Sequence, residues 1–333
     1  MSPRLILRGA ALVAATVVLT GCGSASGSGT DGSAAGGTGA TSSSGAFPVT
    51  VGTAFGDVTV DEEPTRLVAL GWSDAETALA LGVQPVGASD WLGYPEGLGP
   101  WAQSVAYDQP PVIIDTMEPS LEAIAALEPD LILDTRSDGT QERHDSLSRI
   151  APTIGQPDGV GPYQTTWQQQ LQMVGQALGR SAQAQTLTDQ VEQQFRDAAA
   201  ANPRFAGTEV AVGAYSADGF GAYVRGDARV DFMEQLGFVN SPAIQGVAGD
   251  NFFVPVSTEQ LRLLDAPLTV VFPIFHDAGE ITSNPLFQAL PSVQQGHGVV
   301  LSDETLVNAF SSGSALGIQY ALTHAVPLFA AAL

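Results

Sequence analysis

The chain has 333 residues and carries 35 acidic against 12 basic residues, a formal net charge of −23. A protein this acidic is poorly suited to bind nucleic acid or to adhere directly to anionic lipid. The sequence contains one cysteine, Cys22, which excludes an intramolecular disulfide bond.

The first 21 residues follow the plan of a secretory signal peptide. Arg4 and Arg8 precede an apolar run that is short for a transmembrane helix, since a spanning helix needs about 20 apolar residues. The run ends in Leu-Thr-Gly-Cys at residues 19–22, which resembles the bacterial lipobox and implies that Cys22 is acylated. The alternative is an ordinary signal peptide whose cleavage leaves a cysteine nearby.

Residues 22–46 follow the predicted cleavage point and consist almost wholly of Gly, Ser, Ala and Thr. Such a composition cannot bury enough apolar surface to offset the entropy of ordering it. We therefore interpret residues 22–46 as a flexible linker between the lipid anchor and a folded part. Residues 47–333 are more than a typical single domain needs and are enough for two lobes.

Residues 47–180 are predicted to form an N-terminal α/β lobe. Short apolar runs alternate with helical patterns that end at glycine, which is typical of a parallel sheet. The predicted elements are strands at residues 66–70, 83–88, 112–114 and 131–133, and helices at residues 75–81 and 121–127.

Two consecutive helices are predicted in the middle of the chain. Residues 166–178 place Trp167, Leu171 and Val174 on one face of a helix. Ser181 is expected to cap a second helix that runs to residue 201, long enough to cross a small domain. We interpret residues 181–201 as a rigid connecting helix between two lobes, with a plain surface helix of one lobe as the alternative.

Residues 202–333 are predicted to form a C-terminal α/β lobe with the same alternation of elements. The expected fold is therefore α/β, with two lobes of mainly parallel sheets joined by one long helix. The predicted elements of this second lobe are strands at residues 209–214, 268–272 and 298–302, and helices at residues 230–236, 258–264 and 314–330.

A weak repeat relates the two halves at a constant offset of 137 residues, counted along the sequence. Ser120 and Glu122 align with Ser257 and Glu259. Each serine is expected to cap a helix, with Gln260 completing a capping box in the second copy, and each glutamate lies where it meets the positive end of the helix dipole. Helix capping is a sufficient structural reason for both glutamates.

Several short segments together resemble the iron-siderophore and vitamin-B12 class of ABC-transporter substrate-binding proteins over about residues 47–333. The resemblance implies two lobes braced by one long helix, little hinge bending, and a shallow ligand cleft between the lobes. The segments that carry it are RLVAL at residues 66–70, EPSLE at 118–122, LEPDL at 127–131, IAPT at 150–153, ALGR at 177–180, LGF at 236–238 and VSTE at 256–259.

The same resemblance implies one exposed glutamate per lobe that docks on arginines of the permease. Those positions match Glu122 and Glu259, with Glu118 as the second choice for the first lobe. Equivalent carboxylates on equivalent lobes suit a two-fold symmetric permease dimer. Pure helix capping remains the alternative.

Candidate ligand-binding residues follow the predicted strands, because ligands of open α/β sheets bind beyond the carboxyl ends of the strands. Aromatic side chains there can contact a ligand or simply pack in loops. Arginines can bind the oxygens of an anionic ferric complex or serve internal salt bridges. The candidates are Trp72, Trp91, Arg136, Tyr215, Tyr223, Arg225, Arg229 and Phe252, with Phe253 and Tyr163 as weaker choices. Tyr223 and Arg225 lie in a glycine-rich stretch that ends at Gly226.

The sequence indicates a binding protein rather than an enzyme. It lacks a G-x-S-x-G nucleophile elbow, a P-loop and a dinucleotide fingerprint. Its four histidines, His144, His276, His297 and His324, have no metal-binding spacing, although distant residues can converge in a fold. No catalytic residue, cofactor or protein-bound metal is therefore expected.

We expect a monomeric receptor, lipid-anchored on the extracytoplasmic face of the membrane, that delivers a ferric siderophore to an ABC permease. The three candidate arginines favour an anionic siderophore. The alternatives are a receptor for cobalamin or haem, a receptor for bare zinc or manganese, and a lipid-anchored hydrolase.

Overall fold

The computed structural model describes residues 47–94, 97–102, 104–249 and 251–333. The predicted signal peptide, the linker at residues 22–46 and Cys22 lie outside the described residues. The first described elements are two strands, β1 (Val49–Thr53) and β2 (Gly56–Val60), which pair in an antiparallel hairpin that the sequence analysis did not predict.

The first large sheet is fully parallel and has five strands in the order β5-β4-β3-β6-β7. Its central strands are continuous apolar runs, as expected for strands covered on both faces. The predictions of β5 and β6 match the observed bounds, whereas β7 was not predicted. The strands are β3 (Leu67–Ala69), β4 (Gly87–Ser89), β5 (Val112–Ile114), β6 (Leu131–Leu133) and β7 (Thr153–Ile154).

Three short helices and one 3₁₀ turn connect these strands. The side chains of Ser120 and Thr140 accept hydrogen bonds from backbone amides at the starts of the second and third helices. This confirms the predicted cap at Ser120. The elements are α1 (Asp74–Ala80), a 3₁₀ turn at Trp91–Gly93, α2 (Leu121–Ala126) and α3 (Gln141–Ser148).

The two predicted central helices are present as α4 (Trp167–Ala177) and α5 (Ser181–Ala201). Thr166 caps α4 through a capping box with Gln169. The predicted cap of α5 is wrong, because Ser181 is already helical and Arg180 occupies the N-cap position without a side-chain bond. The α5 helix packs on α4, and its Phe195 ring lies 5.2 Å from that of Phe232 later in the chain.

The second large sheet is mixed, with the order β11-β9-β8-β12-β13 and β10 also paired with β8. The β8, β10, β12 and β13 strands are parallel, whereas β9 runs antiparallel to β8 and β11. The strand β9, which was not predicted, lies within the glycine-rich stretch that ends at Gly226. The strands are β8 (Glu209–Ser216), β9 (Gly219–Tyr223), β10 (Val239–Asn240), β11 (Phe253–Val256), β12 (Leu268–Pro273) and β13 (Gly298–Val300).

The remaining helices are mostly short. The single helix predicted at residues 314–330 is two helices that meet at Ala325, because Pro327 suits the first turn of a new helix and not a helix interior. The helices are α6 (Ala228–Gln235), α7 (Pro242–Gln245), α8 (Ala278–Thr282), α9 (Pro285–Gln288), α10 (Pro291–Gln294), α11 (Glu304–Ser312), α12 (Ala315–His324) and α13 (Val326–Ala331), with 3₁₀ helices at Pro203–Phe205 and Thr258–Leu264.

The two copies of the sequence repeat occupy matching places but have different helices. Each copy precedes an inner parallel strand, β6 in the first sheet and β12 in the second. The first copy forms α2, whereas the second is the 3₁₀ helix Thr258–Leu264, and Ser257 makes no side-chain cap bond there. The predicted capping box of Ser257 and Gln260 is therefore wrong.

The turn between α11 and α12, residues 312–314, connects the second half of the chain to the first. The Ser312 carbonyl accepts hydrogen bonds from Ser73 Oγ at 2.7 Å and from Arg136 Nη1 at 3.0 Å. Ser314 Oγ donates to the Glu76 carboxylate. Gly313 has φ 58°, and a Cβ there would lie 2.4 Å from Arg136 Nη1, so glycine is required both by the backbone conformation and by the arginine.

Candidate functional site

A cleft of about 710 Å³ lies beyond the carboxyl end of β12. This is the position at which ligands of α/β sheets bind. The side chains of α11 and the segment after β12 form most of its wall. The lining residues are Leu92, Arg229, Phe272, Pro273, Ile274, Phe275, His276, Asp277, Ala278, Glu280, Ser302, Glu304, Val307, Asn308 and Ser311.

Residues 274–277, which we call the second loop, line this cleft. The Phe275 side chain is 98% exposed and its backbone has φ 56°, a conformation that costs a non-glycine residue about 1–2 kcal/mol. His276 Nδ1 lies 3.2 Å from Glu280 Oε1. Asp277 caps α8.

Arg229, in the first turn of α6, is the predicted ligand residue that lines the cleft. Its guanidinium lies 4.2 Å from the Tyr223 ring centroid and donates to Asp227 Oδ2 at 2.8 Å and to Ser311 Oγ at 3.0 Å. Burial works against the charge of Arg229, but Asp227 and Tyr223 outweigh it and raise its pKa. The cleft therefore contains a fixed, fully charged arginine whose charge is matched by a buried aspartate.

Four predicted aromatic residues form one cluster, which we call the aromatic cluster: Trp72, Trp91, Tyr163 and Phe252. The Trp72 ring stacks on Trp91 at 5.5 Å and on Tyr163 at 4.3 Å between centroids. Phe252 meets Tyr163 edge to face at 6.4 Å. Trp91 directly precedes the cleft residue Leu92, and Trp72 Nε1 is a buried donor without a hydrogen-bond partner.

Backbone strain is concentrated around the cleft. Among the described residues, non-glycine residues with positive φ are Ser73, Leu92, Glu128, Tyr163 and Phe275. Leu92 and Phe275 line the cleft, Tyr163 belongs to the aromatic cluster, and Ser73 bonds to the turn at residues 312–314. Strained residues persist where surrounding structure holds them, which is typical of binding sites.

The segment Asp134–Ser137, which we call the first loop, follows β6 and is buried throughout. Arg136 is 3% exposed and donates to the carbonyls of Tyr163 and Ser312, each at 3.0 Å. Burial lowers its pKa to about 10, and the positive charge of Arg229 contributes. The structure therefore places this predicted ligand residue outside the cleft lining, where its donors bind backbone oxygens.

Two buried carboxyl groups support the first loop and the turn at residues 312–314. Asp74 accepts from Gly71 N and Thr135 N, each at 3.0 Å, and burial raises its pKa to about 6. Glu76 accepts from Trp101 Nε1 at 2.9 Å, and burial raises its pKa to about 7. Both groups are held in place by hydrogen bonds that only partly offset the cost of burying a charge.

The other predicted ligand residues lie away from the cleft lining. Tyr223 is a buried residue of β9 and supports Arg229 from beneath. Arg225 is exposed and pairs with Glu234 at 2.7 Å. Tyr215 packs against Phe220 at 4.8 Å and against the cleft residue His276 at 5.6 Å.

The predicted docking glutamates are exposed, one in each half of the chain. Glu122 lies in the first turn of α2, and Glu259 in the first turn of the 3₁₀ helix Thr258–Leu264. A hydrogen bond from its own backbone amide and one from the Ser257 hydroxyl lower the pKa of Glu259. Glu118, the second choice, is also exposed.

Sequence patterns did not indicate the cleft residues of the second loop, α8 and α11, which are Phe275, His276, Glu280, Glu304 and Asn308. A signal was present, because the second loop follows the predicted strand at residues 268–272 in the same way that Trp72 follows an earlier strand. Within the described residues, no cluster of His, Cys, Asp and Glu could hold a metal ion, and no helix is long and apolar enough to cross a membrane.

Residues 67–305 match the sequence pattern of the family described as periplasmic binding protein. A ferric-citrate-binding protein of Bacillus subtilis is 26% identical over 249 residues, which cover 72% of this chain and 74% of that protein. The ferric-dicitrate-binding periplasmic protein of Escherichia coli is 28% identical over 264 residues, which cover 75% and 81%.

Solved structures share the same fold. A periplasmic solute-binding protein of Mycobacterium smegmatis superposes with a TM-score of 0.74 and 26% identity, covering 85% of this chain and 98% of that one. An iron-uptake binding protein of Streptococcus pneumoniae, solved with ferrichrome, gives a TM-score of 0.72 at 24% identity with the same coverage. The predicted α/β fold with mainly parallel sheets is confirmed.

Proposed function

Because the chain belongs to the periplasmic binding protein family, we propose that it is the extracytoplasmic substrate-binding lipoprotein of an ABC importer and captures a ferric siderophore. Members of this family are binding proteins, and the relatives described above are named for ferric chelates. The ligand would enter the cleft beyond β12 and be delivered to a membrane permease.

The cleft is the observation that carries this proposal. Its volume of about 710 Å³ falls within the usual range for small-molecule sites, which is roughly 300–1,000 Å³. Its lining combines apolar groups with a few polar ones, and the aromatic cluster beside it offers large rings. We propose that Arg229 contacts the ligand, whereas Arg136 acts indirectly by fixing the backbone around the cleft.

Intrinsic tryptophan fluorescence tests the ligand class directly. The purified protein is titrated with ferric siderophores, cobalamin and haem, and we expect saturable quenching by ferric siderophores because Trp72 and Trp91 lie beside the cleft. A Trp167→Phe variant is a matched control that removes a buried ring outside the cleft lining without breaking a side-chain hydrogen bond. If only cobalamin or haem quenches the fluorescence, that compound and not a ferric siderophore is the ligand. If the protein hydrolyses esters in a substrate panel, the hydrolase alternative is favoured.

We propose that Glu122 and Glu259 dock on the permease. Their exposure and their positions at matching places in the two halves support this role. The variant with both glutamates changed to alanine should lose uptake of the labelled ligand in cells while keeping its ligand affinity. Glu62→Ala, at another exposed acidic residue, is the matched control, and normal uptake by the double variant would disprove the docking role.

We propose that lipid on Cys22 holds the protein at the membrane. The tetrapeptide at residues 19–22 supports this proposal. A tether would raise the concentration of the receptor near its permease. Cys22→Ser should abolish incorporation of labelled fatty acid and release the protein from membranes, whereas continued labelling of the variant would refute the anchor.

A further inference from the structure

The described residues give the cleft an excess of negative charge. Asp277, Glu280 and Glu304 line it, and Glu280 and Glu304 are exposed at its surface. The basic groups of the lining are already engaged, Arg229 with Asp227 at 2.8 Å and His276 with Glu280 at 3.2 Å, and among the described residues no salt bridge reaches Asp277 or Glu304. A ligand entering the cleft therefore meets more uncompensated carboxylates than free cations.

The other two arginines that favoured an anionic ligand do not alter this balance. Arg136 is buried and its donors bind the carbonyls of Tyr163 and Ser312. Arg225 pairs with Glu234 and does not line the cleft. Of the three arginines on which the prediction of an anionic siderophore rested, Arg229 alone lines the described cleft, and Asp227 matches its charge.

The pKa of a tyrosine next to the cleft is raised by negatively charged residues of the cleft and beside it. Tyr94 Oη accepts a hydrogen bond at 2.9 Å from Asn308, a cleft residue. Burial raises the pKa of Tyr94, and the negative charges of Glu304 and Asp303 raise it further. The chain as a whole has a net charge of −23, so long-range repulsion also disfavours an approaching anion.

The rest of the lining suits a compact ligand of low net charge. Leu92, Phe272, Ile274 and Val307 are apolar, and Phe275 offers a fully exposed ring. The neutral polar residues Ser302, Asn308 and Ser311 can exchange hydrogen bonds without a formal charge.

We infer that the cleft selects ferric chelates of zero or positive net charge, of the ferric trihydroxamate type, and discriminates against anionic catecholate or carboxylate complexes. This inference rests on the proposed function. Three hydroxamate groups neutralise the three positive charges of ferric iron, and a pendant ammonium makes the complex cationic. Catecholate and citrate complexes retain negative charge, which the carboxylates of the cleft repel.

A matched ligand series isolates charge from shape. Ferrioxamine B carries a pendant ammonium, its N-acetyl derivative is neutral, and its N-succinyl derivative is anionic, while the iron centre is the same in all three. Titration of the full-length chain by tryptophan fluorescence should give the tightest dissociation constant for the cation. Each unit of charge should change the affinity by about tenfold at low salt, and less at high salt.

Variants of the cleft carboxylates connect this preference to named residues. Glu280→Gln combined with Glu304→Gln should reduce the ratio of cation to anion affinity by about tenfold or more. The control is Glu209→Gln, an exposed acid at the opposite end of β8, which should keep the wild-type ratio. An unchanged ratio in the double variant would overturn the role of these carboxylates.

The outcomes separate this inference from the proposed function. Ferric enterobactin and ferric citrate are included in the titration as anionic chelates of different shape. If these complexes, or the succinyl derivative, bind more tightly than cationic ferrioxamine B, the inference about charge is wrong. The proposal of a siderophore receptor is then unaffected. Absence of binding by every ferric chelate in the panel would overturn both.

Discussion

The first loop and the second loop follow corresponding strands, β6 and β12, yet they are built in opposite ways. The first loop is buried, and its donors and acceptors are used within the protein. The second loop exposes Phe275 and lines the cleft. One loop therefore fixes the scaffold and the other is free to contact a ligand, so changes in the first should cost stability and changes in the second should cost affinity.

The largest effect is expected when the central side chain of the first loop is removed. Arg136→Met removes the arginine donors from the carbonyls of Tyr163 and Ser312, leaves the Ser312 carbonyl with the Ser73 hydroxyl, and removes a positive neighbour of Asp227. The free energy of unfolding should fall by about 3–5 kcal/mol in chemical denaturation.

Two other variants sharpen this test. Arg149→Met removes an exposed arginine and should stay within about 0.5 kcal/mol of wild type. Arg136→Lys keeps the charge and should fall between the two. A stable Arg136→Met protein that has lost its ligand would instead assign Arg136 to recognition.

The next effect concerns the buried acid that supports the turn at residues 312–314. The folded protein raises the pKa of Glu76 from 4.5 to about 7, so the folded state binds the proton more tightly than the unfolded state. Stability from this group is present at low pH and is lost as the pH rises from about 4.5 to about 7, by about 3 kcal/mol in total.

Glu76→Gln should remove this loss, because a neutral amide keeps an acceptor for Trp101 Nε1. The variant should match wild type near pH 4.5 and exceed it by about 3 kcal/mol at pH 8 in denaturant unfolding. Glu62→Gln, at an exposed acid, should show no such difference. A stability difference that does not change between the two pH values would contradict the buried, protonated carboxyl.

Local signals were sufficient to predict most of the scaffold. The strands β5 and β6 and the helix α5 were predicted with the bounds that the structure shows. The signals for them, apolar runs and glycines at helix ends, involve only residues that are close in sequence. The strand β9 was missed because glycine is depleted in strands. Gly221 is there for a tertiary reason, since a Cβ at this position would lie 1.9 Å from Phe253 Cζ.

The candidate site was predicted less well, because partners that are distant in sequence decide the role of each side chain. Arg136 and Arg229 look alike in the sequence. Arg136 donates to the Ser312 carbonyl, 176 residues away, whereas Arg229 donates to Ser311 Oγ, 82 residues away. Trp72 and Trp91 were singled out because each follows a predicted strand, and the structure stacks the two rings at 5.5 Å between centroids.

The smallest effect is expected in the second loop, and it has the opposite sign. Phe275→Gly relieves a φ of 56° and should raise the free energy of unfolding by about 0.5–1 kcal/mol, since glycine adopts this conformation readily. The same change removes the exposed ring from the cleft and should weaken ligand binding several-fold, by about 1 kcal/mol.

Glu128→Gly is the matched control for this exchange, because Glu128 has φ 48° and does not line the cleft. It should gain a similar stability without a change in ligand affinity. Denaturant unfolding and fluorescence titration of both variants measure the two quantities side by side. If Phe275→Gly lost stability, or if it bound ligand as tightly as Glu128→Gly, the second loop would be part of the scaffold and the contrast with the first loop would fail.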